Sequence, residues 1–490
     1  MFFPRHVKQP VDISLSGFGH MWLKNSGACG KFKHHKQLRS NMSKIPFYFS
    51  ILLFIGLDVN GLAATNITDS RAVEKPLIRR AIWQAKFKPF DVNRPGKTIK
   101  SIVESSPLAK AGLMPNDRIL SVNGRHIHTA TAWNDITDAL TAVVPHHIAF
   151  KREDRLFNTE VFFPPIDREV HHGLDALYES VTSDYGITQR VIVTKPQGQQ
   201  QPSPAVVVLQ GLSCSSIEKI PNRNSAFVRL LTDIVEQSHK VVMRIEKPGM
   251  GDSEGNCSET DFKTELNGYE SALKWLLAQD YVDPKRVVVY GNSMGSALAP
   301  YLTNKYDLAG VISDGTFVRS WFEHMLEIER RILQFKGLSQ SEISQQMNQF
   351  YLPLYYGMLI KKQSYQEVID DYPALTKANY HGPEHMYGRP MAYYHQLQDF
   401  DVAGEWQKLK VPARIRWGMN DWIMSEADND MIIEILENAG HANHKLLKQA
   451  GLDHWQALHE NPVDSFNGKK GQWNQDISQV IIEWLDELVK

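Results

Sequence analysis

Cysteine is scarce, with 3 in 490 residues. That is too few for a disulfide-dense miniprotein or an array of zinc ribbons. A charge surplus is missing too: 54 Lys+Arg meet 55 Asp+Glu and leave a net charge of -1, so the basic footprint of a nucleic-acid binder is absent. A mean hydropathy of -0.35 excludes a multi-span membrane protein. What the chain does have is apolar content, 42% hydrophobic against 22% charged residues. This excludes a wholly disordered chain and suffices for one or two cores at ~100–200 residues per domain.

The balanced charge hides an asymmetry. Residues 1–64 hold eight basic and only two acidic side chains, which leaves the remainder mildly acidic. From Met42 the chain has the layout of a secretory signal peptide: Lys44, an apolar run from Ile45 to Leu57, then the small residues of Leu62-Ala63-Ala64. That run falls short of the ~20 apolar residues a membrane-spanning helix needs, and no Cys follows it to carry a lipid. Residues 1–41 are basic, rich in His and Gly, and without periodicity; Met42 reads as the true start and 1–41 as an unstructured or untranslated leader. The expectation is an exported protein, periplasmic or secreted, in an oxidising compartment. Cys29 would be lost with the leader, leaving Cys214 and Cys257.

Residues 78–165 read as a small domain. Ile102 and Val103 end a strand, and Pro107 to Ala111 form a short helix closed by Gly112. Asn116-Asp117 turns into the strand Ile119, Leu120, Val122, and Asn123-Gly124 signals a tight hairpin turn. Trp133, Ile136, Leu140 and Val143 recur at helical spacing and predict a helix over 131–143. Strands at 148–151 and 160–163 close the unit. The runs Ser106-Pro107, Ala111-Gly112-Leu113, Asn116-Asp117, Ile119-Leu120 and Val122-Asn123-Gly124 resemble a PDZ domain of the bacterial type. What the resemblance implies is a groove between a strand and the helix at 131–143, able to capture a peptide C-terminus by strand addition. A Gly-Leu-Gly-Phe-like carboxylate loop is not visible, Phe87-Lys88-Pro89-Phe90 being a poor match, so a structural or dimerising role stays open. Pro164-Pro165 marks a linker.

Residues 170–490 alternate strand and helix patterns, as a largely parallel α/β sheet requires. Strands are predicted at 187–194, with the polar stretch 196–204 as a hairpin loop, then at 205–209, 241–245 and 286–290, with helices near 225–237 and 260–278. Arg286 to Tyr290 runs directly into Gly291-Asn292-Ser293-Met294-Gly295, followed by a small-residue helix. Gly-x-Ser-x-Gly is weak evidence alone. Placed between an apolar strand and a helix, it is the pattern of a nucleophile on a strained turn, where side chains at either glycine would collide with the neighbouring elements. A serine hydroxyl needs a base. Downstream, the strand ending in Gly418-Met419-Asn420-Asp421 supplies an acid, and Gly451-Leu452-Asp453-His454 supplies an imidazole. Ser293 is therefore the candidate nucleophile, His454 the base and then acid, and Asp421 the group orienting the imidazolium. Asp314 is the rival acid. His441 and His444 precede the last strand, on the wrong side for the site.

These residues, together with the run Pro248-Gly249-Met250-Gly251-Asp252-Ser253-Glu254-Gly255 and the lead-in Val282-Asp283-Pro284-Lys285-Arg286, resemble the α/β-hydrolase superfamily in its esterase and peptidase branches. The resemblance implies a mostly parallel sheet with helices on both faces and no cofactor. It implies an oxyanion hole made by the N–H groups of Met294 and Leu212. Gln210 departs from the pattern, since many members carry His there. Cys214 follows the third strand of this region and Cys257 the fourth; if those strands are neighbours, a disulfide would brace the oxyanion loop. The loop 249–255 has Glu254 where a dinucleotide fingerprint needs Gly. The paired histidines lack acids or Cys at ligand spacing, so no metal is expected. Between 315 and 410 an insertion rich in aromatics and Met reads as a helical lid, or as a plain subdomain. The functional expectation is a serine hydrolase acting on an ester, or on a peptide docked by the PDZ-like domain. A non-catalytic peptide-binding scaffold is the reading from another class.

Overall fold

A computed structural model describes residues 76–219, 225–377 and 385–490. The signal segment at 42–64, the leader at 1–41 and Cys29 lie outside the described residues. Among the described residues no helix is long and apolar enough to cross a membrane.

The first unit is a small antiparallel sheet. Its strands run in the order Ala85–Phe87, Lys97–Ile102, Arg118–Val122, Pro145–Arg152, Arg155–Phe162, with Arg125–His126 also paired to Arg118–Val122. The Asn123-Gly124 turn behaves as its residues demand. Both adopt positive φ, 50° and 77°, and close a two-residue hairpin in which Val122 faces Arg125. Ser106 caps the short helix Pro107–Lys110, which turns Leu108 into the core. The second helix spans only Ala130–Asp138 and leaves Val143 exposed, shorter than the apolar spacing predicts. The reason is tertiary: residues 140–142 pair with the entering chain, through Ala81 N–H to Leu140 O and Ala142 N–H to Arg79 O, both at 2.8 Å. Trp133 from this helix stacks on Trp83 with centroids 5.0 Å apart, and Phe87 packs on Trp133 at 4.7 Å. The space between the edge strand Ala85–Phe87 and the helix is thus filled by aromatic rings.

The second unit is built on an eight-stranded sheet. Its order is His444–Gln449, Ala413–Gly418, Gly310–Asp314, Val282–Asn292, Ser203–Leu209, Val241–Ile245, Thr188–Pro196, Leu174–Thr182. The first six are parallel, and the last two are added at one edge by antiparallel pairing. The stretch 196–204 is therefore not a hairpin loop. Val241–Ile245 sits between the two strands it connects, and Thr188–Pro196 instead forms a hairpin with Leu174–Thr182. A polar linker dictates that two strands are connected, not that they pair.

Strand residues in the sheet centre are apolar without alternation because both faces are covered. Ala205, Val207 and Leu209 pack with the helices Phe262–Leu277 and Met294–Tyr306, while Val206 and Val208 pack with Ala226–Gln237 and the closing helix Asp476–Leu488. One strand thus feeds two cores, one per face. The insertion after Asp314 is helical, beginning with Trp321–Phe335. Its Trp321, Met325, Met347, Tyr351, Tyr355 and Met358 belong to the same continuous core as the sheet. A largely parallel sheet, helices on both faces and a helical insertion at this point make an α/β-hydrolase fold, preceded by the small β-rich domain.

Candidate active site

The strand Val282–Asn292 ends at Ser293, whose φ of 55° and ψ of -124° are forbidden ground for most side chains, and the helix Met294–Tyr306 starts at the next residue. The flanking glycines explain how the turn is possible. A Cβ at Gly291 would overlap the Gly295 carbonyl, and a Cβ at Gly295 would overlap the carbonyl of Leu209 on the neighbouring strand. The strained turn is held by Ser293 N–H to Asp314 O at 3.0 Å.

Two further strand ends bring the partners. His454 Nε2 lies 3.0 Å from Ser293 Oγ, and its Nδ1 lies 2.8 Å from Asp421 Oδ2. Asp421 is aimed by its other oxygen, which accepts the N–H groups of Ile423 and Met424 at 2.8 and 2.9 Å. The His454 loop is held by the residue before it. Asp453 Oδ1 accepts from Trp455 N–H and Ala457 N–H at 3.0 and 2.8 Å, and its Oδ2 accepts from Ser465 Oγ at 2.8 Å and pairs with His459 at 3.1 Å. Burial opposes a charge on His454, but the Asp421 carboxylate beside it outweighs this and raises the imidazole above its ordinary value.

Asp314, the rival acid, is fully engaged elsewhere. Arg416 forks onto both its oxygens at 2.8 and 2.6 Å, and Tyr290 donates its hydroxyl at 2.7 Å. His441 bonds Val411 O, and His444 bonds His441 O, at the start of the strand His444–Gln449 and away from the His454 loop.

The loop carrying Leu212 lies against Ser293: a Cβ on Gly211 would sit 3.0 Å from Ser293 Cβ and 3.3 Å from its Oγ. Met294, the other expected oxyanion donor, opens the helix directly after Ser293. Cys214 and Cys257 form a disulfide with Cα atoms 5.8 Å apart, since each lies on a loop leaving one of two adjacent parallel strands. Three charged residues that sequence reasoning did not single out form a linked cluster that reaches this loop. Lys247 is fully buried; its ammonium donates to the Gly211 carbonyl and lies 3.2 Å from Glu265 Oε1. Arg389, from the insertion, pairs with Glu265 and approaches Cys214 Sγ to 3.4 Å. One signal for them was legible, the acid Glu265 among the apolar positions of its helix; nothing local marks Arg389. Farther along the same loop, Glu218 meets Arg79 and Arg80 from the start of the small domain, and Arg79 also reaches Asp252.

His324 was missed as well. It lies on the first insertion helix, fully buried between Phe317 and Trp321 at 4.8 and 4.9 Å, with neither ring nitrogen hydrogen-bonded. Burial pushes it down to about 3, so it is neutral. Among the described residues no group of three or more His, Cys, Asp or Glu is placed to hold a metal ion.

Residues 98–143 match the PDZ domain family. Esterase EstD of Thermotoga maritima is 23% identical over 304 residues, 61% of this chain and 65% of that protein; the chain thus spans just under two thirds of the length of this curated relative. Among solved structures, the Pyrococcus furiosus esterase Pf2001 is 12% identical with a TM-score of 0.41, covering 66% of this chain and 97% of that one. Est1E of Butyrivibrio proteoclasticus, solved with ferulic acid bound, is 14% identical with a TM-score of 0.39, covering 63% and 99%. The chain joins a stretch matching the PDZ domain family to a domain with an α/β-hydrolase fold.

Proposed function

We propose that the chain is an exported serine hydrolase that cleaves carboxylic esters through an acyl-enzyme. The observation that carries this reading is the hydrogen-bonded row Asp421–His454–Ser293 on a strained strand-to-helix turn. In the first half-reaction Ser293 Oγ attacks the ester carbonyl while His454 Nε2 takes its proton, and Asp421 stabilises the imidazolium. The tetrahedral oxyanion is held by the N–H groups of Met294 and Leu212, each worth about 3–4 kcal/mol in the transition state. His454 returns the proton to the departing alcohol. Water then enters, loses its proton to His454, and releases the acid.

The esterase named among the relatives supports ester over amide cleavage. The aromatic and Met-rich insertion serves as a lid and gives the site an apolar wall, which suits an apolar acyl group. The disulfide and the signal-like run at 45–57 support export. The aromatic filling between the PDZ edge strand and its helix argues for a structural role of that domain over peptide capture.

A fluorophosphonate probe and a series of p-nitrophenyl esters and peptide amides test the reading together. Labelling and ester turnover that vanish in Ser293→Ala support it. Folded protein that takes no label supports the scaffold, and turnover of peptide amides without esters supports a peptidase.

A further inference from the structure

Lys247 is an odd residue to find beside this site. A buried ammonium is costly unless its charge is met, and the carboxylate it pairs with among the described residues, Glu265, is already paired with Arg389. Two cations therefore share one anion in a place sealed from water, with all three side chains essentially unexposed. Burial, seconded by the Arg389 charge and resisted by Glu265, pushes Lys247 down to about 8. An apolar side chain of the same length would leave the neutral Arg389–Glu265 pair behind and relieve that cost. What it would lose is the hydrogen bond to the Gly211 carbonyl.

That carbonyl matters because of what shares its plane. A trans peptide unit is rigid, and its C=O and N–H point in opposite directions; the described chain has no cis bonds. The N–H opposed to Gly211 O belongs to Leu212. Gly211 itself is packed against Ser293, so the orientation of this single plane decides whether an N–H or a carbonyl oxygen faces the reacting carbon.

We propose that Lys247 is a positioning residue for the oxyanion hole: by holding the Gly211 carbonyl from behind, its ammonium turns the Leu212 N–H toward Ser293. The inference rests on the hydrolase reading above and deepens it. Glu265 keeps the ammonium in place, and Arg389 ties the same carboxylate to the insertion. Lys247 touches no reacting atom; it acts through the backbone.

The test uses the full chain, p-nitrophenyl butyrate as substrate, propyl trifluoromethyl ketone as a probe that forms an oxyanion on Ser293, and butyrate as a ground-state ligand. Lys247→Met removes donor and charge, whereas Lys247→Gln keeps a donor and removes the charge. Lys247→Met is expected to lower kcat on the order of 10²-fold, toward the loss seen when one oxyanion donor is removed, with KM unchanged. Affinity for the ketone falls by the same factor, and inhibition by butyrate stays as in wild type. Lys247→Gln recovers part of the loss, and it carries the same readouts if the Met variant does not fold. The inference is overturned by a folded Lys247→Met with wild-type kcat, or by equal losses toward ketone and butyrate, which mark a general disturbance of the pocket. A wild type that neither hydrolyses the ester nor takes up a fluorophosphonate overturns the hydrolase reading, and this inference with it.

Discussion

On one side of Ser293 the chain is shaped by atoms that glycine lacks; on the other it is held by atoms that distant side chains bring. The nucleophile turn stands because Gly291 and Gly295 leave room for a neighbouring carbonyl and because its strand pairs with a parallel strand on either side. The facing loop, 210–219, contains only one glycine. It is fastened by a disulfide at Cys214, by a buried ammonium at Gly211 and by two arginines at Glu218. Steric exclusion is local and leaves a spacing in the chain. Fastening by ions and sulfur joins this loop to residues up to 175 positions away, as with Arg389 and Cys214, and leaves little local pattern.

The largest effect tests the turn itself. Ser293→Ala should cut kcat by roughly 10⁶, as removal of such a nucleophile does in serine hydrolases, with unfolding temperature unchanged; residual turnover near wild type would show that another group attacks. Asp421→Asn comes next, with a loss of roughly 10⁴ in kcat from an imidazole held in the wrong tautomer. Because Asp421 raises His454, and because the base must be neutral, the wild-type rate should climb through a limb above the ordinary imidazole value of 6.5. In the Asn variant that limb should move to lower pH; a limb that stays put would assign it to another group.

The fastened side is broken by reduction. Cys214 and Cys257 are 43 positions apart, and closing such a loop contributes about 4 kcal/mol by chain entropy. Cys214→Ser with Cys257→Ser should lose most of this in denaturant titration, and a reductant should lower the wild type to the same value. Equal stability with and without reductant would mean the ions alone hold the loop. The smallest change is one methyl group. Gly295→Ala pushes a Cβ into the Leu209 carbonyl and should cost about 1–3 kcal/mol, typical of overpacking, together with most activity. An alanine variant with wild-type melting would remove the steric half of the comparison.

Much of the small domain was readable because its turns are chemical: Asn123-Gly124 demands positive φ, and Gly112 closes a short helix. Its second helix was misjudged because backbone pairing of 140–142 with 79–81 won over a continuing apolar spacing. In the sheet, unbroken apolar runs announced strands buried on both faces, yet not their neighbours, so the stretch 196–204 passed for a hairpin. Asp421 and Asp314 look alike from the chain, each a carboxylate at the end of a parallel strand. Only the packed structure sends Arg416 and Tyr290 to Asp314 and leaves one oxygen of Asp421 for His454.

Taken alone, the amino-acid order determined most of the central strands and the turn that lifts Ser293, because these depend on residues within a few positions of one another. The tertiary structure decided which acid meets the imidazole, which strands lie side by side and which cation stands behind the Gly211 carbonyl. Those outcomes depend on how charge is shared in a sealed interior, and a carboxylate there has only two oxygens to give.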